Sequence, residues 1–266
     1  MPLVTIETVR PHVALITLNK PEKLNSMSFG LVSALYDALR DVGGDNEIWV
    51  AVLTGAGRGF CSGLDLEDQG HAPGLEGLTR HRAGIRAMAY MSDVVPAVRA
   101  IPQPVIAAIN GPAFGGGMCL ALGADIRYAA ESAVFCSAGI LNGLTSTELG
   151  VSFLLPRAVG TSHAAELMLT GRRIDAAEAE RIGLVSRVTP DGDVVDAALE
   201  TAEQMCQLSP YGLAMTKRAM WANIEASSLT AAIDLENRNQ LLLGFTPNLD
   251  EAKAAFREHR RPQYTE

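Results

Sequence analysis

Apolar residues recur in short runs along the first part of the chain, and these runs predict strands that alternate with helices. Residues 3–9 and 13–18 are rich in β-branched side chains and flank Pro11, which predicts a hairpin. Apolar positions then recur at helical spacing over residues 29–42 and stop at Gly43-Gly44. A glycine pair at this place is typical of a helix end, so a helix is predicted there.

Two short, wholly apolar runs at 49–53 and 105–109 predict buried strands. A polar insertion begins at residue 67 and leads into a helix predicted at 78–98. Beyond residue 145 the helical pattern is almost continuous. The helices predicted there are 147–159, 162–169, 176–182, 194–208, 211–224, 229–242 and 248–257. The sequence therefore predicts an α/β fold that passes into a mostly helical second part.

The composition indicates a folded protein without a broad basic surface. Hydrophobic residues make up 48% and charged residues 20% of the chain, and the net charge is −8. This balance is typical of folded chains and argues against nucleic acid as a partner. We expect neither a secretion signal nor a membrane-spanning segment. The four cysteines lack the spacing of metal or redox motifs, which predicts buried thiols and a cytoplasmic location.

Three common catalytic or binding motifs are absent. The loop after residue 53 fails the dinucleotide pattern GxGxxG because Phe60 stands at its last glycine. A later GxxxxG segment has Gly117 where a P-loop needs lysine. No two of the five histidines have HExxH spacing, so no metal site is predicted.

Glycine-rich loops at 59–66 and 110–117 each follow a predicted buried strand. Glycine allows backbone N–H groups to face a ligand, because no Cβ blocks the approach. Two converging amides would form an oxyanion hole, and a helix that begins at one of them would add positive charge. The alternative is that both loops are tight turns that only allow close packing.

These loops belong to a series of motifs that resembles the crotonase, or enoyl-CoA hydratase/isomerase, superfamily. The series is LNKPEKLNS at 18–26, the segments 60–65 and 106–117, LLPRAVG at 154–160, and AERIGLV at 179–185. The resemblance implies a crotonase-like spiral of ββα units over residues 1–200. It also implies a C-terminal helical region at 201–266 through which subunits form trimers or dimers of trimers.

The resemblance further implies an acyl-CoA substrate whose thioester oxygen lies between the amides of Leu64 and Gly116. Coenzyme A then enters as part of the substrate, and no separate cofactor is expected. Lys20 and Lys23 would meet the coenzyme A. Further substrate-binding residues are expected at Leu24, Ser62, Asp65, Leu66, Gly115, Leu141 and Leu144. The alternative role for Asp65 is that of a helix N-cap.

The chain departs from the hydratases of this superfamily at their two catalytic glutamates. The corresponding positions hold Cys119 and Gly139. One acid, Glu148, stands where related isomerases and dehalogenases carry a catalytic aspartate. Thr145 and Glu148 also have the spacing of a capping box, in which the glutamate would only accept a hydrogen bond from the threonine amide.

One carboxylate is enough to move a proton between Cα and Cγ of an enoyl-CoA while the oxyanion hole holds the enolate. We therefore predict a double-bond isomerase with Glu148 as its base, in an apolar pocket built from Leu141, Leu144, Leu149 and Phe153 that raises its pKa. Two alternatives remain open: a hydratase with a single carboxylate, and a non-catalytic acyl-CoA-binding subunit.

Overall fold

The computed structural model describes residues 1–265, and strands and helices alternate through most of this part of the chain. The strands are β1 (Val4–Arg10), β2 (Val13–Leu18), β3 (Val50–Gly55), β4 (Val105–Ile109), β5 (Ala113–Phe114), β6 (Ile126–Ala130), β7 (Val134–Cys136), β8 (Ile174–Asp175) and β9 (Arg187–Thr189). The helices are α1 (Phe29–Gly43), α2 (Arg80–Ser92), α3 (Val94–Ala100), α4 (Gly116–Gly123), α5 (Val151–Val159), α6 (Thr161–Thr170), α7 (Ala176–Arg181), α8 (Val194–Met205), α9 (Pro210–Ile224), α10 (Leu229–Gly244) and α11 (Pro247–Glu258). Short 3-10 turns span Pro21–Lys23 and Ala138–Asn142.

The strands form two sheets, and the larger one places the glycine loops next to each other. Its order is β1-β2-β3-β4-β6-β9, with an antiparallel β1–β2 hairpin and parallel pairing elsewhere. The smaller sheet has the order β5-β7-β8. Since β3 and β4 are parallel neighbours, the loops that follow them leave the same edge of the sheet.

The large sheet is covered by helices on both faces. Strand β3 is buried throughout, because Ala51 and Leu53 pack into the cluster that contains α1 and α3 while Val50 and Val52 pack against α8. Burial of each such leucine or valine side chain contributes about 1.5–3 kcal/mol to the free energy of unfolding. Helix α1 begins where Ser28 accepts a hydrogen bond from its first turn, as its apolar spacing and polar start require.

Two predicted helices have different bounds in the structure, for local reasons. The helix predicted at 78–98 is broken into α2 and α3 because Pro96 lacks an N–H and its ring would clash with the carbonyl of Ser92 in a continuous helix. The helix predicted at 147–159 begins at Val151, since Leu149 and Gly150 have φ of 47° and 85°.

The C-terminal helices α9 to α11 lie mostly outside the buried core. The predicted boundary at residue 200 falls inside α8, whose Ala198 and Ala202 both pack on the large sheet. Helix α10 buries no residue completely, and its Leu229 and the nearby Phe245 stay exposed. The division of the chain at this point and the role in trimer formation stay predictions. Each helix of residues 1–265 is too short or too polar to cross a membrane.

Candidate active site

Backbone hydrogen bonds join the two glycine loops directly. The N–H of Cys61 donates to the carbonyl of Pro112 at 3.1 Å, and the N–H of Phe114 donates to the carbonyl of Cys61 at 3.0 Å. Gly63 has a φ of 88°, and a Cβ there would lie 2.6 Å from the carbonyl oxygen of Phe114. A side chain at this position would therefore push the two loops apart.

The second loop turns sharply and begins helix α4. Gly115 has a φ of 48° and donates its N–H to the carbonyl of Cys136 at 2.8 Å. Gly116 is the first residue of α4, and a Cβ on the next residue, Gly117, would lie 2.0 Å from the carbonyl oxygen of Cys61. The glycines thus serve close packing, and that packing sets the first turn of α4 against the first loop.

Two amides at this junction are left without an acceptor in the protein. Met27 holds the residues on either side of Leu64, because its N–H donates to the carbonyl of Gly63 at 2.7 Å and its carbonyl accepts from the N–H of Asp65 at 3.0 Å. The N–H groups of Leu64 and Gly116 donate to no group among residues 1–265. The Gly116 nitrogen lies 3.3 Å from an ideal Cβ built on Gly63. Unpaired donors on adjoining loops are what an oxyanion hole requires.

The carboxylate of Asp65 fastens the first loop to the segment that precedes α1. It accepts from the Lys20 ammonium at 2.6 Å, the Ser26 hydroxyl at 3.0 Å, and the amides of Glu67 and Asp68 at 3.1 and 3.0 Å. These bonds, with Lys20 first, lower the pKa of Asp65 to about 2. The carboxylate caps a turn and not a helix, so the N-cap alternative is wrong. Lys20, expected to meet coenzyme A, pairs with Asp65, and its role in binding stays a prediction.

The early loop is attached to the first glycine loop at several points. The N–H of Ser62 donates to the carbonyl of Leu24 at 2.9 Å, and the Ser62 hydroxyl donates to the carbonyl of Lys23 at 3.2 Å. The Lys23 ammonium forms an exposed ion pair with Glu67. The structure therefore brings these predicted substrate-binding residues to one edge of the site, and their role in binding stays a prediction.

Glu148 approaches the second loop from a turn that precedes α5. Its carbonyl accepts from the N–H of Val151 at 2.9 Å and from the buried thiol of Cys119 at 3.6 Å. Its Oε1 lies 3.3 Å from ideal Cβ positions on both Gly115 and Gly139. No hydrogen bond from residues 1–265 reaches this carboxylate, and burial raises the pKa of Glu148. It is a half-buried, unpartnered carboxylate beside the oxyanion-hole candidate.

The capping-box alternative for Glu148 is wrong. Helix α5 begins at Val151 after Gly150, five positions later than such a box at Thr145 requires. The Thr145 hydroxyl instead accepts a hydrogen bond from the Thr147 hydroxyl at 2.8 Å. The glutamate side chain is therefore not used to cap a helix.

The two positions that depart from the hydratase pattern lie next to Glu148: Cys119 contacts its backbone carbonyl, and Gly139 lies beside its carboxylate. Burial raises the pKa of the Cys119 thiol well above its ordinary value, which disfavours the thiolate form that a nucleophile needs. A Cβ on Gly139 would lie 2.2 Å from the carbonyl oxygen of Thr145. Position 139 therefore has no room for any side chain while the turn that carries Glu148 keeps its place.

The apolar residues expected around Glu148 divide into two groups. Leu149 and Phe153 are half-buried and pack against the core. Leu141 and Leu144 are each 59% exposed, and Leu66 is 65% exposed, so the chain alone does not enclose them. The Oε1 of Glu148 lies beside Gly115 and Gly139, and the substrate contacts expected of the three exposed leucines stay predictions.

Sequence reasoning gave no role to Ser26 and Met27, which hold the first loop in place. Their partners, Asp65 and Gly63, lie more than 35 positions later in the chain, so no local pattern reveals the contacts. Their place at the end of the LNKPEKLNS motif and directly after it is the one available signal. Among residues 1–265, no group of three or more histidine, cysteine or acidic residues is placed to hold a metal ion.

Comparisons with known proteins agree with this geometry. The family model described as enoyl-CoA hydratase/isomerase matches residues 8–266. The chain is 51% identical to "Probable enoyl-CoA hydratase echA12" of Mycobacterium bovis, over 99% of this chain and 93% of the relative. A crystal structure of a probable enoyl-CoA hydratase/isomerase from Mycobacterium abscessus superposes with a TM-score of 0.93 at 44% identity, over 98% of each chain.

A crystal structure of a monofunctional enoyl CoA isomerase from M. smegmatis is also similar. It superposes with a TM-score of 0.74 at 46% identity, over 88% of this chain and 99% of that one. The family match and the superpositions confirm the crotonase-like α/β fold with C-terminal helices. The chain therefore belongs to the enoyl-CoA hydratase/isomerase family of the crotonase superfamily.

Proposed function

We propose that this protein moves a double bond within enoyl-CoA thioesters, with Glu148 as its one acid–base group. The observation that carries the proposal is a single unpartnered carboxylate beside two unpartnered amides, those of Leu64 and Gly116. An isomerase needs one group that moves a proton and one site that holds negative charge. This arrangement provides one of each.

The thioester oxygen would accept hydrogen bonds from the amides of Leu64 and Gly116. When a proton leaves Cα, the thioester becomes an enolate with negative charge on this oxygen. That charge strengthens both hydrogen bonds. Each such donor contributes about 2.7–4 kcal/mol to the stability of an oxyanion transition state. Gly116 adds the positive end of helix α4, which also favours the anion.

Glu148 would remove a proton from Cα of a 3-enoyl-CoA and return it to Cγ. The Cα–H bond breaks, the double bond moves from C3–C4 to C2–C3, and a new C–H bond forms at C4. The raised pKa of Glu148 suits this task, since a base with a higher pKa accepts the proton more readily and still gives it back.

Hydration would need a further group to activate water or to protonate Cα. Position 119 offers a buried thiol, and position 139 is closed to any side chain by the carbonyl of Thr145. The similarity to the M. smegmatis enoyl CoA isomerase also favours isomerisation. Hydration stays the competing candidate because the M. bovis relative carries the name of a hydratase.

We further propose that coenzyme A enters only as part of the substrate and that the protein is cytoplasmic. The exposed apolar residues of α10, α11 and the turn between them, among them Leu229, Phe245 and Phe256, suit contact between subunits. A trimer or a dimer of trimers would cover such a surface. Light scattering on the purified protein tests this assembly.

The test compares wild type and Glu148→Gln on 3-enoyl-CoA, with formation of the conjugated 2-enoyl thioester followed by its ultraviolet absorbance. We expect the variant to lose at least about 100-fold in kcat, because the amide cannot accept the proton. Glu131→Gln, at an exposed position, serves as the matched control and keeps full activity.

The same reactions run in ¹⁸O-labelled water separate the candidate functions. Conversion of the 2-enoyl-CoA to a labelled 3-hydroxyacyl-CoA as the main reaction would assign a hydratase. Tight binding of acyl-CoA without turnover of any substrate would assign a binding subunit. Full activity of Glu148→Gln would exclude Glu148 as the base.

A further inference from the structure

A cavity of about 610 Å³ lies between helices α3, α5 and α9, in the size range of small-molecule sites. Its walls are mostly apolar and aromatic, with a few charged groups. The lining residues that matter here are Leu149, Phe153, Trp221, Arg99, Asp93 and Glu225.

The cavity adjoins the proposed catalytic carboxylate. Leu149 lines the cavity and directly follows Glu148 in the chain. Its Cδ2 also lies 3.6 Å from an ideal Cβ on Gly116, the proposed oxyanion donor. One side chain therefore borders both spaces, and a thioester held at Gly116 would have this cavity within reach of its acyl group.

Arg99 is a charged group in this wall without a hydrogen-bond partner. Its Cζ lies 3.3 Å from the centroid of the Trp221 ring. Its guanidinium donates to no acceptor among residues 1–265, and its Nε is buried. An unpaired buried donor is costly, so such a group usually serves a ligand or an ordered water.

The nearest acid is already engaged. The Asp125 carboxylate accepts from the Trp221 indole N–H at 2.5 Å, the Val105 amide at 2.7 Å and the Lys217 ammonium at 3.1 Å. These bonds hold the Trp221 ring in place, and no hydrogen bond from Arg99 reaches the Asp125 carboxylate. The guanidinium is therefore oriented but unpaired.

We propose, on the basis of the proposed function, that this cavity binds the far end of the acyl group and that Arg99 donates hydrogen bonds to a neutral oxygen there. A ketone, lactone or hydroxyl oxygen fits this description. A carboxylate fits less well because Glu225 and Asp93 line the same cavity and would repel it. The preferred substrates are thus acyl-CoAs with an apolar chain and an oxygen near its end.

Calorimetry with saturated acyl-CoAs tests this subsite without any catalytic step. The probes are acyl-CoAs of increasing length, each as an alkyl chain, a chain with a ketone next to its end, and a chain that ends in a carboxylate. At the best length we expect the ketone to bind wild type at least about tenfold more tightly than the alkyl chain, as for a hydrogen bond from a charged donor. Arg99→Met should remove this preference and leave alkyl-chain binding unchanged.

Arg157→Met is the matched control, since Arg157 also covers an aromatic ring, with its Cζ 3.5 Å from the centroid of Phe153, but does not line the cavity. Equal dissociation constants for ketone and alkyl chains in wild type would overturn the proposal. So would an equal loss of preference in Arg157→Met, or tighter binding of the carboxylate chain. The dissociation constants do not depend on the isomerase reaction. If Glu148→Gln kept full isomerase activity, the proposed function would fail, but the binding comparison would still test the subsite.

Discussion

The two carboxylates beside the glycine loops, Asp65 and Glu148, have opposite surroundings. Asp65 accepts four hydrogen bonds, and its pKa is lowered to about 2. Glu148 accepts none from residues 1–265 through its carboxylate, and burial raises its pKa. A carboxylate whose charge is balanced by hydrogen bonds stabilises the fold, whereas an unpaired carboxylate in an apolar environment can exchange a proton.

The loops that carry these residues differ in the same way. The segment around Asp65 is tied to Lys20 and Ser26, so its geometry is fixed by charge-assisted bonds. The turn around Glu148 is placed by backbone contacts and by the absence of side chains at Gly115 and Gly139. We infer that the first region aligns the oxyanion donor and the second performs the proton transfer.

Gly139→Ala should produce the largest effect among the tests of this comparison. The new Cβ would lie 2.2 Å from the Thr145 carbonyl and 3.3 Å from Oε1 of Glu148, so the turn must move. A displacement of this kind costs about 100-fold in kcat, measured on 3-enoyl-CoA. Gly84→Ala, where no atom lies within 4 Å of the new Cβ, is the control. Unchanged kcat in Gly139→Ala would mean that Glu148 does not need its present position.

Asp65→Asn should lower the free energy of unfolding by roughly 2 kcal/mol at neutral pH, the value of a carboxylate pKa lowered from 3.8 to about 2. Chemical denaturation measures this change. Asp37→Asn, which breaks an exposed ion pair with Arg40, should cost less than about 1 kcal/mol. A smaller effect at Asp65 than at Asp37 would contradict its structural role.

The pH dependence of activity and of stability should separate the two groups. Activity needs the Glu148 carboxylate, so kcat/KM should fall about tenfold per pH unit below a pKa that lies above 4.5. The Asp65 contribution to stability is complete above pH 3.8 and is lost only as the pH falls through about 2. A protein that stays folded near pH 4 with lowered activity, which recovers at neutral pH, is the expected result. Coincident loss of activity and fold would oppose it.

Local patterns in the sequence predict much of the fold. Helix α1 follows from apolar spacing and a glycine end, and β3 and β4 follow from short apolar runs. The late start of α5 was missed because a capping-box pattern at Thr145 competes with left-handed backbone at Leu149 and Gly150. A capping pattern involves residues close together in the sequence, whereas the left-handed backbone of Leu149 and Gly150 depends on packing against α4.

The site is less accessible to sequence reasoning because its contacts join distant segments. The two glycine loops and Glu148 could be singled out from motifs. Three other features depend on tertiary structure. They are the ion pair of Lys20 with Asp65, the hydrogen bonds of Met27 to the residues on both sides of Leu64, and the lack of a hydrogen-bond partner for Arg99. No residue-type pattern at these positions distinguishes a structural ion pair from a group that binds coenzyme A.

A crystal structure with a saturated acyl-CoA bound would test the central claim most directly. We expect the thioester oxygen within hydrogen-bond distance of both the Leu64 and Gly116 nitrogens, with the Glu148 carboxyl facing Cα. An oxygen bound elsewhere, or a Glu148 carboxyl turned away from the acyl group, would contradict the account.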